Sequence, residues 1–182
     1  METRISTLPH PPVAVILLVA LLASTGALAD DEPPLLSYSI EDQFGRTHTE
    51  AACDGAVRVV LGGDRKGSEY VGEWGPRLHR SLGREIDQGL VCSIGFAHLK
   101  GAPFFVRRKI IDSFPRNPEA WTLLDWKGHF VRTWGGQKKA ANLFVFDRDG
   151  RLAMQIALTE YDQAIFDRVV AAVRAELEGN PQ

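Results

Sequence analysis

Residues 56–86 constrain the fold more tightly than any other stretch of the chain. They open with a run of buried-strand character, Val57, Val59, Val60 and Leu61, and pass through the basic, glycine-rich segment Gly62-Gly63-Asp64-Arg65-Lys66-Gly67. A helical pattern follows, in which Val71, Trp74, Leu78, Leu82 and Ile86 recur at spacings of three and four and so share one face. Pro76 falls inside this stripe and is expected either to mark the true helix start or to kink the helix. Gly89 then leads into a second apolar run, residues 90–96. Two buried strands joined by a helix read as a βαβ unit with parallel strands. In such units the carboxyl end of a strand opens onto a crevice, and the next helix start offers unpaired N–H groups. A site of the usual α/β kind is therefore expected within residues 56–86, where the strand, the loop and the helix start meet.

The flanking segments complete the pattern. Residues 35–40 and 46–50, separated by Asp42-Gln43-Phe44-Gly45, read as an N-terminal hairpin. A loop at residues 100–103 precedes a helix over 104–114, which Pro115 and Pro118 interrupt. Residues 121–125 read as a strand, Trp126-Lys127-Gly128 as a turn, and 130–134 as a short strand or a helical turn. Residues 142–146 and 151–158 form a meander about the turn Asp147-Arg148-Asp149-Gly150. The last helix has a stripe of Tyr161, Ile165, Val169, Val173 and Leu177, with Thr159 and Asp162 as its capping box and Gly179 to end it. The four tryptophans, Trp74, Trp121, Trp126 and Trp134, are assigned to the core, with Trp126 and Trp134 also placed to serve as exposed anchors beside turns.

Residues 1–29 read as a cleaved signal peptide. Arg4 lies in a short polar start, the apolar run 13–23 follows, and Ala27-Leu28-Ala29 has the small-x-small pattern of a processing site. That apolar run is well short of the roughly 20 residues a membrane-spanning helix needs, so no stable anchor is expected after cleavage. The mature chain is read as one domain, residues 30–182, exported to the periplasm or the extracellular space. Its two cysteines, Cys53 and Cys92, suit a disulfide in that oxidising setting, the alternative being two buried thiols. A formal charge of −2 argues against a nucleic-acid binder, and Arg107-Arg108-Lys109 reads as a solvated helix face.

The order of these elements resembles the thioredoxin-like fold: a βαβ unit, then an antiparallel hairpin and a final helix on a mixed sheet. The segment Leu124-Asp125-Trp126-Lys127-Gly128, with residues 143–147 and Asp149-Gly150, looks like the second half of thioredoxin-like and peroxiredoxin-like proteins. Phe105-Val106-Arg107, Leu124-Asp125 followed by Gly128, and residues 142–152 are similar to the YtfJ family of small exported proteins. The resemblance implies an α/β fold, a mixed central sheet flanked by helices. It implies no cofactor and names no ligand or partner.

Thioredoxin-type chemistry needs Cys-x-x-Cys at a helix start, where the dipole and free N–H groups favour the thiolate. Counting back from Pro76 by that family's interval places Ser68 at the first cysteine and Val71 at the second. Counting back from Asp147 to the family's cis-proline places Ala141 there. Under that alignment both halves of the redox site are degenerate. Cys53 and Cys92 would sit at the amino ends of adjacent parallel strands, away from the crevice and placed to bridge. The glycine-rich segment has Ser68-Glu69 where a Walker loop has Lys-Ser/Thr, so it reads as a solvated turn, the alternative being a small-anion site made by Arg65, Lys66 and backbone N–H groups. His48, His79, His98 and His129 have no zinc-ligand spacing, and Asp147 and Asp149 are turn residues. The expectation is a non-catalytic domain that binds a protein or small ligand. The alternative is an atypical thiol oxidoreductase or peroxidase using Cys53 and Cys92.

Overall fold

The computed structural model describes residues 34–179. Strands β1 (Ser39–Glu41) and β2 (Thr47–Thr49) form a small antiparallel hairpin, and a 3-10 turn (Glu50–Cys53) leads out of it. The core elements follow: β3 (Val57–Gly63), α1 (Gly67–Ser81), α2 (Gly83–Asp87) and β4 (Val91–His98). Next come a 3-10 turn (Phe104–Val106), α3 (Arg107–Asp112), β5 (Leu123–Asp125) and α4 (His129–Trp134). The chain closes with β6 (Ala141–Phe146), β7 (Leu152–Leu158) and α5 (Gln163–Glu178). Residues 1–29, read above as a signal peptide, lie outside the described residues. Among the described residues no helix is long and apolar enough to cross a membrane.

β3 is buried along its whole length because it is the middle strand of a five-stranded sheet ordered β5-β4-β3-β6-β7. It pairs in parallel with β4 (Val57 opposite Val91, Gly63 opposite Ala97) and antiparallel with β6 (Arg58 opposite Phe146, Gly63 opposite Ala141). Its alternate side chains therefore enter two separate cores. Val57, Val59 and Leu61 pack with Trp74, Leu78 and Leu82 of the α1 side and with Val169 and Val173 of α5. Val60 faces the other way, among Ile94, Phe96, Phe130, Trp134, Phe144 and Phe146. Fully burying side chains of this size contributes roughly 1.5–3 kcal/mol each, so both faces of the sheet are held by large apolar layers.

Several expectations shift by a few residues. Gly62 and Gly63, read as loop, complete β3. A Cβ on Gly62 would come within 2.0 Å of the Phe96 carbonyl oxygen, so only glycine fits there. The helical stripe is divided: Leu82 separates α1 from α2, and Pro76 sits within α1 rather than at its start. The helix expected over 104–114 is a 3-10 turn plus six residues of α3, and the strand expected over 121–125 keeps only three. Residues 130–134 resolve as the helical alternative, in α4. Asp162, not Thr159, caps α5, its carboxylate accepting from the Ile165 N–H at 2.8 Å. Trp74 and Trp134 are core residues, whereas Trp121 and Trp126 are half-buried, so of the two proposed anchors only Trp126 stays near solvent.

Arg58 is a buried charge within the apolar strand, 4% exposed. Its guanidinium donates to the carbonyls of Asp147 and Arg148 at 3.1 and 2.7 Å and reaches Asp54 at 3.5 Å. It therefore ties the β6–β7 turn to the central strand; the two terminal nitrogens are satisfied by these bonds, while the buried Nε has no hydrogen-bond partner among the described residues.

Candidate functional site

The carboxyl ends of β3 and β4 open onto a cleft of about 700 Å3. Gly63, Asp64 and Arg65 supply the β3 side, Phe96, Ala97 and Leu99 the β4 side, and Ser68 and Val71 of α1 one wall. The α3 region supplies Val106, Lys109, Ile110, Ser113 and Phe114. This is the crevice that the strand-loop-helix pattern predicts, and its size lies in the range of small-molecule sites.

Ser68 and Val71 both line it, Ser68 exposed and Val71 half-buried. The Ser68 hydroxyl donates to the Arg65 carbonyl at 2.8 Å, so its proton serves the loop. Ala141 is not at the cleft surface but is the first residue of β6, fully buried and opposite Gly63. The residue that meets the helix start is Ala140: a Cβ on Gly67 would lie 2.1 Å from its carbonyl oxygen. Glycine at 67 thus allows the loop before β6 to pack directly on α1.

Asp64 organises the junction. Its carbonyl accepts the Ser68 N–H at 2.8 Å, the first bond of the helix. Its Oδ1 accepts from the N–H groups of Lys66 (3.1 Å) and Gly67 (2.9 Å), and its Oδ2 accepts from Lys139 N–H (2.8 Å). Lys139 takes a left-handed backbone, φ 60°, at this point. Burial would raise the Asp64 carboxyl, but these backbone donors and the nearby His98 outweigh it and hold it below the usual carboxylate range. The helix start therefore has an anion already in place. A phosphate or a thiolate would have to compete with the protein's own carboxylate for those N–H groups.

At the end of β4, burial lowers the His98 imidazole, against the pull of Asp125 and Asp64. Its Nδ1 is buried without a hydrogen-bond partner. Asp125, 1% exposed, caps α4 by accepting from His129 and Phe130 N–H groups at 2.8 and 3.1 Å. His48 is bonded to Asp42 at 2.9 Å and stacked on Trp121 at 4.1 Å, His129 bonds the Ser37 carbonyl, and His79 is exposed. Among the described residues no group of three His, Cys, Asp or Glu converges to hold a metal ion.

Cys53 and Cys92 form a disulfide with Cα atoms 5.8 Å apart, within the range a bridge requires. Cys92 is five residues before Ala97 along β4, a rise of about 16 Å at a strand's usual pitch. The bridge thus joins the amino ends of β3 and β4, at the opposite end of these strands from the cleft. No cysteine lines the cleft.

Sequence reasoning missed Asp64, Ala140 and the α3 wall. Asp64 was open to detection, because an aspartate three residues before Gly67 has N-cap spacing. The roles of Ala140 and α3 depend on contacts between distant segments.

No family model and no curated protein sequence matches the chain. Its backbone is similar to solved structures with the thioredoxin-like fold. A candidate thiol:disulfide interchange protein DsbE from Chlorobium tepidum superposes with a TM-score of 0.57 at 16% identity, over 80% of this chain and 95% of that one. An exposed lipoprotein thioredoxin from Streptococcus pneumoniae gives 0.57 at 11% identity, over 76% and 98%. The thioredoxin domain of a thiol-disulfide oxidoreductase from Bacteroides vulgatus gives 0.52 at 14%, over 78% and 97%. With the mixed five-stranded sheet flanked by helices, these similarities establish the thioredoxin-like fold.

Proposed function

We propose that this thioredoxin-like chain is an exported binding domain that uses the fold's usual cleft without dithiol chemistry. One observation carries the reading. The cleft is lined by Ser68 and Val71 and by no cysteine, while Cys53 and Cys92 are joined to each other at the far end of β3 and β4. Valine has no nucleophile and serine forms no disulfide, so thiol exchange has no attacking group there. The Asp64 carboxylate also fills the N–H groups that would otherwise favour a thiolate. Within the fold we place the chain with YtfJ-like exported proteins, on the residues quoted for that similarity.

The test is direct. Purified mature protein is expected to give no turnover in insulin-reduction, disulfide-isomerisation and hydroperoxide assays. Turnover that disappears in Cys53→Ser would overturn the reading and favour catalysis by Cys53 and Cys92.

A further inference from the structure

We infer that the cleft takes an amphiphile with an anionic head and an apolar tail, a chemistry for which decanoate is the probe. The inference rests on the proposed function in treating the cleft as a ligand site, and it adds the chemistry of the ligand. Val71, Leu99, Val106, Ile110 and Phe114 line the cleft and are only half-buried, so an apolar guest would remove further apolar surface from water. A narrow apolar body inside a space of about 700 Å3 is compatible with this wall.

The head group is read from the cations. Around the cleft most are engaged: Lys66 with Glu69, Arg107 over the rings of Phe104 and Trp126, and Arg108 and Arg116 with Asp112. The two cations that line the cleft itself, Arg65 and Lys109, have no carboxylate or aromatic partner among the described residues. They come from different elements, one just before α1 and the other in α3. The acidic side chain in the lining, Asp64, spends both oxygens on backbone N–H groups. An anionic head beside Arg65 and Lys109 would supply the missing counter-charge, while its tail lies along the apolar lining. An ammonium head would meet two like charges.

Titration calorimetry of the mature protein with decanoate, decanol and decyltrimethylammonium tests this. Decanoate is expected to bind at one site, about tenfold tighter than decanol for two exposed ion pairs. Decyltrimethylammonium is expected to bind more weakly than decanol. The exposed double variant Arg65→Gln/Lys109→Gln should lose the difference between decanoate and decanol but keep decanol binding. A decanoate preference that survives in that variant overturns the head-group assignment, as does equal binding of all three amphiphiles by the wild type. Absence of decanoate binding overturns the inference entirely. None of these results alters the redox assays, which decide the proposed function separately.

Discussion

Asp42 carries the N-terminal hairpin through a single carboxylate. It is 2% exposed and accepts from the N–H groups of Phe44 and Arg46, from Arg46 Nε at 2.7 Å, and lies 2.9 Å from His48 Nε2. Its backbone bridges to Leu123 and so ties the hairpin to β5. Burial would raise the carboxyl, yet the His48, Arg46 and Phe44 hydrogen bonds outweigh it and lower it from 3.8 to about 2. Because the folded value lies below the unfolded one, the stabilisation is complete above the ordinary value and is lost as pH falls toward about 2. Asp42→Asn is expected to destabilise the protein by about 2 kcal/mol at neutral pH. In urea unfolding across a pH series, the gap from wild type should close between about pH 4 and pH 2. A gap that stays constant over that range would mean Asp42 acts by shape rather than charge. The sequence presents Asp42 simply as a turn residue, since the local Asx bonds are visible in the pattern and the contact with Leu123 is not.

The disulfide and the capped helices act at the level of elements. Cys53 lies in the 3-10 turn ahead of β3 and Cys92 near the start of β4, so the bridge pins the entry to the βαβ unit. In the chain-entropy model, closing a loop of about 40 residues contributes about 4 kcal/mol. Cys53→Ala/Cys92→Ala should lower the stability by roughly that amount, measured by urea unfolding under identical buffer. Titration with decanoate should be unchanged, because the bridge lies at the other end of β3 and β4 from the cleft. Loss of binding together with stability would show that the two ends of these strands are coupled. At the other side of the molecule, Trp74 is fully buried against Tyr161 and Phe166 and donates its indole N–H to the Glu160 carbonyl at 3.1 Å. That contact explains why Tyr161, expected inside the last helix, stays half-buried against the core although α5 begins at Gln163.

For the whole molecule, the reading of export predicts a processed chain. Expressed as the whole 182-residue chain, the protein recovered from the exported fraction should have the mass of a chain starting at Asp30, measured by intact mass spectrometry. Full-length protein found only in the cell interior would remove the export reading and, with it, the expected oxidising compartment.

Most of the element order followed from periodicity together with turn and cap residues, the separate helix α2 excepted. A strand buried on both faces must be apolar at nearly every position, and a half-buried helix must repeat its apolar residues every three or four, so β3, α1, the meander and α5 are written in local pattern. The cysteines' placement at the amino ends of neighbouring strands was legible for the same reason, given parallel pairing. The site was legible only as a position within residues 56–86, where the strand, the loop and the helix start meet. Its character was decided by the tertiary structure. The Asp64 carboxylate meets Lys139, 75 residues away in sequence. Ala140 reaches the helix start because Gly67 has no Cβ, and α3 brings Lys109 and Ile110 to the cleft that Ser68 and Val71 line. Each of these is a short-range interaction between segments distant in sequence. Local pattern encodes which residues seek burial or a turn, and only chain packing determines which of them meet.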